Sequence, residues 1–191
     1  MRGEFETFLT YPTTRAKKTK LQEKKMKRSN RLTLYVTRGA LIAAAYVALT
    51  FLASLFGLSS GAIQFRISEA LCIMPLFFPE AILGLTIGCF ISNLVTGAVI
   101  WDVIFGSVAT LIGAIGARML RRLPSKLIFL STIPTLLANA LIVPFVLMYA
   151  YGAEGAYVYF ALTVGLGELV CATVGGTALY FPLKKIKIDK R

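Results

Sequence analysis

The chain has 191 residues, of which 57% are hydrophobic and 16% are charged, with a net charge of +12 and a mean hydropathy of +0.72. These values lie far outside the range of soluble globular domains. Spans of roughly 20 residues fill the chain between residues 39 and 180 and leave no room for an extramembrane catalytic domain. Histidine is absent and the three cysteines show no C-x-x-C spacing, so we expect no enzyme activity, no metal site and no cofactor.

The N-terminal part of the chain is strongly basic. Residues 1–38 hold 11 Lys or Arg and 3 Asp or Glu. We interpret residues 1–31 as a disordered cytoplasmic tail that helps to set membrane topology, with Met26 as a second candidate translation start. Nucleic-acid binding is disfavoured, since the basic segment lacks interleaved aromatic residues and a membrane span follows it directly.

Six apolar spans are predicted after this tail, within a single membrane domain at residues 32–183. The second span is short, because Phe78-Pro79 ends it. The fold class is therefore an all-α integral membrane protein with six transmembrane helices. The spans cover about residues 32–56, 67–78, 80–97, 101–120, 127–149 and 156–181.

Basic residues predict the orientation of this bundle. With six spans, the N-terminal tail, the basic turn at residues 118–126 and the C-terminal tail at residues 184–191 all lie on one side. The positive-inside rule makes that side cytoplasmic and predicts a multi-pass protein of the plasma membrane. Arg66 is the one positive charge that falls on the outer side, so we expect it to bind a ligand or to form an ion pair.

Polar residues inside a membrane are costly and usually mark a functional site. Most of those in this chain fall in the outer half of the predicted spans, which suggests a pocket that opens outward and binds a polar solute. An internal ion pair between Arg66 and Glu69 or Asp102 is the alternative. Glu80, at the cytoplasmic start of the third span, is interpreted as a helix cap. The candidate ligand-binding residues are Gln64, Phe65, Arg66, Glu69, Asn93, Trp101, Asp102, Asn139 and Glu168.

The first span contains small residues at four-residue spacing, namely Ala40, Ala44 and Ala48. Such a stripe lets another helix approach closely in a membrane. The pattern fits packing within this chain and docking of an external partner equally well.

The chain has no G-x-x-x-x-G-K-[ST] motif, so it cannot hydrolyse ATP through a P-loop. Two classes of function remain. One is a substrate-capture subunit whose energy comes from a partner. The other is a self-sufficient, oligomeric transporter coupled to an ion through Glu168.

Four segments resemble the QueT family of queuosine-precursor transporters, and the resemblance extends over about residues 33–182. They are QFRISEAL, PLFFPEAILGL, CFISNL and WDVIFGS, which begin at Gln64, Pro75, Cys89 and Trp101. The resemblance implies a bundle like that of the substrate-binding S components of energy-coupling factor (ECF) transporters. It also implies two kinds of partner, a transmembrane T component and two ABC-type ATPases. In related S components an Ala-x-x-x-Ala face of the first helix docks on the T component, which favours an external partner for Ala40, Ala44 and Ala48.

The family resemblance also implies a 7-deazaguanine substrate, which could be the cyano or aminomethyl form or queuine. A carboxylate can accept the adjacent N–H groups of a guanine-type edge, and Asn, Gln or Arg can donate to its carbonyl. We expect Glu168 to be the acceptor with Asn139 beside it, and Arg66 and Asn93 to contribute from the outer side. Phe65, Trp101 or a tyrosine from residues 149–159 would cover the flat apolar face, and an additional carboxylate would favour a cationic aminomethyl group.

Overall fold

A computed structural model describes residues 14–57 and 65–186. These residues form helices and connecting turns and include no β-strand, which confirms the all-α prediction. Gln64 lies outside the described residues. The six helical segments are α1 (Thr14–Leu55), α2 (Ile67–Leu76), α3 (Ala81–Val95), α4 (Ile100–Met119), α5 (Ser125–Tyr149) and α6 (Tyr157–Lys185).

The chain divides into two compact units, Met1–Val36 and Thr37–Arg191. The described part of the first unit is helical from Thr14 onward, and within it the Thr33 hydroxyl donates to the Ser29 carbonyl at 3.1 Å. The assignment of residues 1–31 to a separate tail stays a prediction. The helical bundle and the candidate site lie in the second unit.

Four helices are long and apolar enough to cross a bilayer, namely Arg28–Leu55 of α1 together with α4, α5 and α6. The other two are shorter. The α2 helix is a ten-residue 3₁₀-helix that contains Pro75, and at about 2.0 Å per residue it is about 20 Å long. The 15 residues of α3 span about 22 Å, against a hydrocarbon core of about 30 Å. The shortness of the second span is as the sequence predicts.

Small residues on one face of α1 pack against α3. A Cβ atom added to Gly84 would lie 2.6 Å from the carbonyl oxygen of Gly39, and one added to Gly88 would lie 2.8 Å from the Cβ of Tyr46 and 3.0 Å from the carbonyl oxygen of Ala43. Helices approach this closely only where side chains are absent or very small. The face of α1 that carries Gly39 and Ala43 is therefore an internal packing surface.

The α6 helix is interrupted just after Glu168. Residues Leu169–Gly175 form a π-helical turn, after which the α-helix resumes at Gly176. Gly175 and Gly176 let this part of α6 approach α2, since added Cβ atoms would lie 3.2 Å from the Cβ and 3.3 Å from the carbonyl oxygen of Ala70, respectively. Single π-turns within α-helices occur frequently at functional sites.

Basic side chains connect the helices at one end of the bundle, where α2 ends and α3 begins. Arg38 lies 3.5 Å from the Glu80 carboxylate, and Arg118 donates to the carbonyls of Pro75 at 2.9 Å and Leu76 at 3.2 Å. Glu80 occupies the N-cap position of α3, but its side chain makes no capping hydrogen bond. It is buried, so its role in the structure is that of an ion-pair partner.

Candidate functional site

The candidate site begins at the opposite end of the bundle, where α3 ends and α4 begins. An ion pair joins Arg66 to Asp102 there, with Nη2 and Oδ1 3.3 Å apart. The Tyr151 hydroxyl donates to Asp102 Oδ2 at 3.2 Å and accepts the Val99 amide N–H at 3.2 Å. From the sequence, Arg66 could bind a ligand or pair with Glu69 or Asp102. In the structure it pairs with Asp102. The second guanidinium nitrogen, Nη1, is buried without a hydrogen-bond partner and keeps its capacity to donate.

Tyr151 lies in the turn between α5 and α6, outside the membrane-spanning helices. Partial burial and the neighbouring Asp102 carboxylate raise the pKa of its hydroxyl, although the Val99 amide opposes this shift. The phenol therefore stays protonated and can donate to Asp102 across the physiological pH range. The sequence offers Tyr151 only as one of several tyrosines that could cover a ligand ring, and its bond to Asp102 was not predicted, because nothing in the local pattern around residue 151 indicates a partner 49 residues earlier.

Asn93 is held beside the ion pair from α3. Its side-chain amide donates to the Asp102 carbonyl at 3.2 Å and lies 3.7 Å from the Cys89 sulfur. Gly106 of α4 leaves room for this arrangement, since an added Cβ would lie 3.1 Å from Asn93 Nδ2 and 3.3 Å from Asp102 Oδ1. The structure thus brings together Arg66, Asn93 and Asp102, which the sequence predicts to share a site.

Glu69 lies deeper in the bundle and is fully buried. It accepts hydrogen bonds from the Tyr46 hydroxyl at 2.5 Å and the Cys72 thiol at 2.7 Å. The Thr110 hydroxyl lies 3.4 Å away, but its single hydrogen is closer to the Gly106 carbonyl, at 3.0 Å. Each carboxylate oxygen of Glu69 therefore has a donor within the protein. These donors were not among the predicted site residues, because each stands singly in an apolar stretch.

Glu168 and Asn139 differ from Glu69 in that both have unused hydrogen-bonding capacity. Glu168 is 3% exposed and Asn139 is 0% exposed, yet Glu168 Oε2 and Asn139 Oδ1 have no hydrogen-bond partner. The Asn139 amide donates to the Thr135 carbonyl at 3.2 Å. Glu168 is close enough to Glu69 and Arg66 to interact with them electrostatically. Buried polar atoms without partners are rare in folded proteins, so Glu168 Oε2 and Asn139 Oδ1 are the best candidates for contact with a ligand.

The two aromatic candidates occupy different surroundings. Phe65 is half-buried next to Arg66, whereas Trp101 is 53% exposed and stacks on Phe105 with ring centroids 6.0 Å apart. Trp101 lines an apolar cavity of about 640 Å³ between α4 and α5. None of the other predicted ligand-binding residues lines this cavity, whose walls cannot satisfy a polar heterocycle. The cavity is lined by Trp101, Phe105, Val108, Leu141, Ile142, Phe145, Val146, Tyr149 and Ala150.

The predicted docking residues lie on the outward face of α1. Ala40, Ala44 and Ala48 are exposed, whereas the neighbouring Ala43 is buried. The helix therefore carries two stripes of small residues, of which the Gly39 and Ala43 stripe packs against α3 and the alanine stripe is uncovered. Docking of a partner on the uncovered stripe stays a prediction.

Comparison with known proteins gives a family and one partial relative. The family described as QueT transporter matches residues 36–185. A protein named queuosine precursor transporter QueT, from Lactococcus lactis subsp. cremoris (strain MG1363), is 44% identical over 73 residues. Those residues cover 38% of this chain and 43% of that relative, so the match spans less than half of its length. No solved structure gives a significant match.

Proposed function

Because the chain belongs to the QueT transporter family, we propose that it captures a queuosine precursor, a 7-deazaguanine, as the S component of an ECF importer. The family is one of transporters and not of enzymes, and the four long apolar helices fit a multi-pass membrane protein. We place the protein in the plasma membrane with both termini in the cytoplasm, on the basis of its Lys- and Arg-rich turns and tails.

The observation that carries the proposal is the set of unpaired buried atoms at Arg66, Asn139 and Glu168. Arg66 Nη1 is a donor, while Asn139 Oδ1 and Glu168 Oε2 are acceptors. A guanine-type edge presents adjacent N–H donors and a carbonyl acceptor, so its hydrogen-bonding groups complement these atoms. All three residues were candidates from the sequence, and their lack of protein partners is an independent reason to assign them to a ligand.

The energy for uptake is proposed to come from a T component and two ABC-type ATPases. The chain has no P-loop, so it cannot draw energy from ATP by itself. The exposed alanine stripe on α1 supports docking of a helical partner within the bilayer, since small side chains permit close helix contact. Asn93, Glu69 and Asp102 are proposed to hold Arg66 and the surrounding helices in place.

One observation supports the second candidate, a self-sufficient ion-coupled transporter. Glu168 is a buried carboxyl group with an unpaired oxygen, and intramembrane carboxyl groups serve as proton relays in transporters.

Reconstitution into liposomes separates the two candidates. The protein alone should bind a 7-deazaguanine but should not concentrate it under a proton or sodium gradient, whereas addition of the ECF partners and ATP should produce uptake. Concentrative uptake by the protein alone would support the ion-coupled transporter and overturn the S-component proposal. Absence of binding to any 7-deazaguanine would overturn the proposed substrate.

A further inference from the structure

The basic side chains at the end of the bundle where α2 ends and α3 begins differ in how the protein uses them. Arg38 lies 3.5 Å from the Glu80 carboxylate, and its guanidinium carbon lies 5.0 Å from the centroid of the Phe78 ring. Arg118 donates to the last carbonyls of α2. These two cations therefore have partners inside the fold.

A second group of basic side chains at this end is exposed and lacks acidic partners. In the part of the chain that the structure describes, the ion pairs are those of Arg38 with Glu80 and of Arg66 with Asp102. No Asp or Glu occurs in residues 103–153 or 169–188, so the sequence offers no nearby carboxylate to neutralise this group. The group, called the basic patch below, consists of Arg121, Arg122, Lys126, Lys184 and Lys185.

The patch joins two segments that are about 60 residues apart in the sequence. Lys184 Nζ donates to Ser125 Oγ at 2.6 Å, and the Tyr180 hydroxyl lies 3.3 Å from the same oxygen. Tyr180 is buried, stacks on Phe77 with ring centroids 5.5 Å apart and packs in a core cluster with Ile128. The turn after α4 and the end of α6 are therefore fixed against each other, and their charges are held close together before any partner binds.

The patch also lies where three candidate membrane spans meet the bilayer surface. The α4 span ends at Met119, the α5 span begins at Ser125 and the α6 span ends at Lys185. Clusters of four to eight Lys or Arg residues directly beside membrane spans attract anionic lipid headgroups, and each such residue contributes roughly fivefold in affinity. A phosphate group at headgroup level thus has the charge and the position that complement this patch.

We propose that the basic patch binds the headgroup of an anionic phospholipid and thereby ties the ends of α4, α5 and α6 to the membrane surface. The inference concerns the lipid around the protein and does not depend on the proposed substrate. The alternative is that these charges act only during membrane insertion, as the positive-inside rule requires. In that case the folded protein should show no preference among lipids.

Native mass spectrometry of the full-length protein in detergent tests the proposal. The protein is mixed with equal amounts of phosphatidylglycerol and phosphatidylcholine that carry the same acyl chains. We expect at least about tenfold more retained phosphatidylglycerol, since at least two basic residues act on its headgroup. The preference should decrease as the salt concentration rises, because exposed charges are screened. Equal retention of the two lipids would overturn the proposal and leave the proposed function intact.

A paired substitution locates the preference on the patch. Arg121→Gln combined with Arg122→Gln should lower the ratio of retained phosphatidylglycerol to phosphatidylcholine by at least about fivefold. The matched control is Arg28→Gln combined with Arg31→Gln, which removes two exposed positive charges from the first unit and should keep the ratio. An equal loss in both proteins would mean that the preference follows net charge, and would overturn the patch.

Two further measurements complete the test. Arg121 and Arg122 are exposed, so the thermal unfolding midpoint of their double variant should match that of the unmodified protein. Should the double variant not fold, the lipid ratio of the unmodified protein at low and high salt decides the question. A polyglutamate peptide should fail to displace the retained phosphatidylglycerol at equal concentration. Displacement would assign the patch to an acidic protein partner and overturn the lipid proposal.

Discussion

Replacement of Glu168 by Gln changes one carboxylate oxygen into an amide nitrogen at nearly constant volume. Glu168 Oε2 has no hydrogen-bond partner in the protein, so the substitution breaks no protein hydrogen bond at that atom. Burial of a neutral amide also costs less free energy than burial of a carboxylate. We therefore expect the thermal unfolding midpoint of the empty protein to stay the same or to rise.

Ligand binding should respond in the opposite direction. A hydrogen bond to a charged acceptor contributes about 1.5–3 kcal/mol, and each 1.4 kcal/mol corresponds to a factor of ten in affinity. Loss of one such bond to the ring edge predicts an affinity that is about 10-fold to 150-fold lower. Calorimetric titration of the detergent-solubilised variant with a 7-deazaguanine that binds the unmodified protein measures this change directly.

Two comparisons make this result specific to Glu168. Glu154→Gln changes an exposed residue in the turn between α5 and α6 and should bind like the unmodified protein. Glu69→Gln weakens the acceptor for Tyr46 and Cys72, so it should lower the unfolding midpoint, in contrast to Glu168→Gln. An unchanged affinity in Glu168→Gln would refute the assignment of Glu168 as the ligand acceptor and would give it a structural role.

Three further substitutions test other parts of the structure. Ala44→Leu should bind ligand normally but fail to co-purify with ECF partners, because Ala44 lies on the exposed stripe of α1. Ala43→Leu should instead destabilise the isolated protein, because Ala43 packs against α3. Normal co-purification of the Ala44→Leu protein would mean that docking uses another surface. Tyr151→Phe should lower the free energy of unfolding by about 0.5–1.5 kcal/mol, because it removes the hydrogen bond from the Tyr151 hydroxyl to Asp102. An unchanged denaturation midpoint would show that this bond contributes no net stability. Gly106→Ala should weaken ligand binding because the added methyl group crowds Arg66, Asn93 and Asp102, although alanine is the better helix former. Unchanged affinity in a titration would show that these three side chains can shift without loss of binding.

The sequence predicts the number and approximate bounds of the helices well, because apolar length, proline and basic turns act locally. Phe78-Pro79 correctly indicates the short second helix. The small residues of α1 could not be assigned in the same way. From the sequence, Gly39, Ala43 and Ala44 could each pack inside the bundle or face a partner. Which of them lies inside depends on where α3 crosses α1, and only the structure shows that Gly84 and Gly88 of α3 meet α1 at Gly39 and Ala43.

The candidate site is predicted in part for a similar reason. Charged and amide residues are conspicuous in an apolar sequence, so Arg66, Asp102 and Glu168 stand out. Tyr46 and Cys72 do not stand out, because a hydroxyl or a thiol in an apolar helix is common. Their role becomes visible only when the structure shows that both donate to Glu69, which lies 23 residues from Tyr46 and 3 residues from Cys72. The orientation of Trp101 toward an apolar cavity could not be predicted, because it depends on which face of α4 meets α5.

The π-helical turn at Leu169–Gly175 also determines how α6 tolerates changes in chain length. Such a turn accommodates one more residue than an α-helical turn, and each residue of an α-helix corresponds to a rotation of about 100° about the axis. Because the wider turn already holds the extra residue, deletion of one residue there would restore a regular α-helix and leave the residues that follow oriented as they are now relative to Glu168. The same deletion in the regular α-helix just after Gly176 would instead rotate the rest of α6 by about 100°. Tyr180 and Lys184, which both contact Ser125, would then face different neighbours, so the π-helical turn is the part of α6 that can lose a residue without disturbing the contacts at the basic end of the bundle.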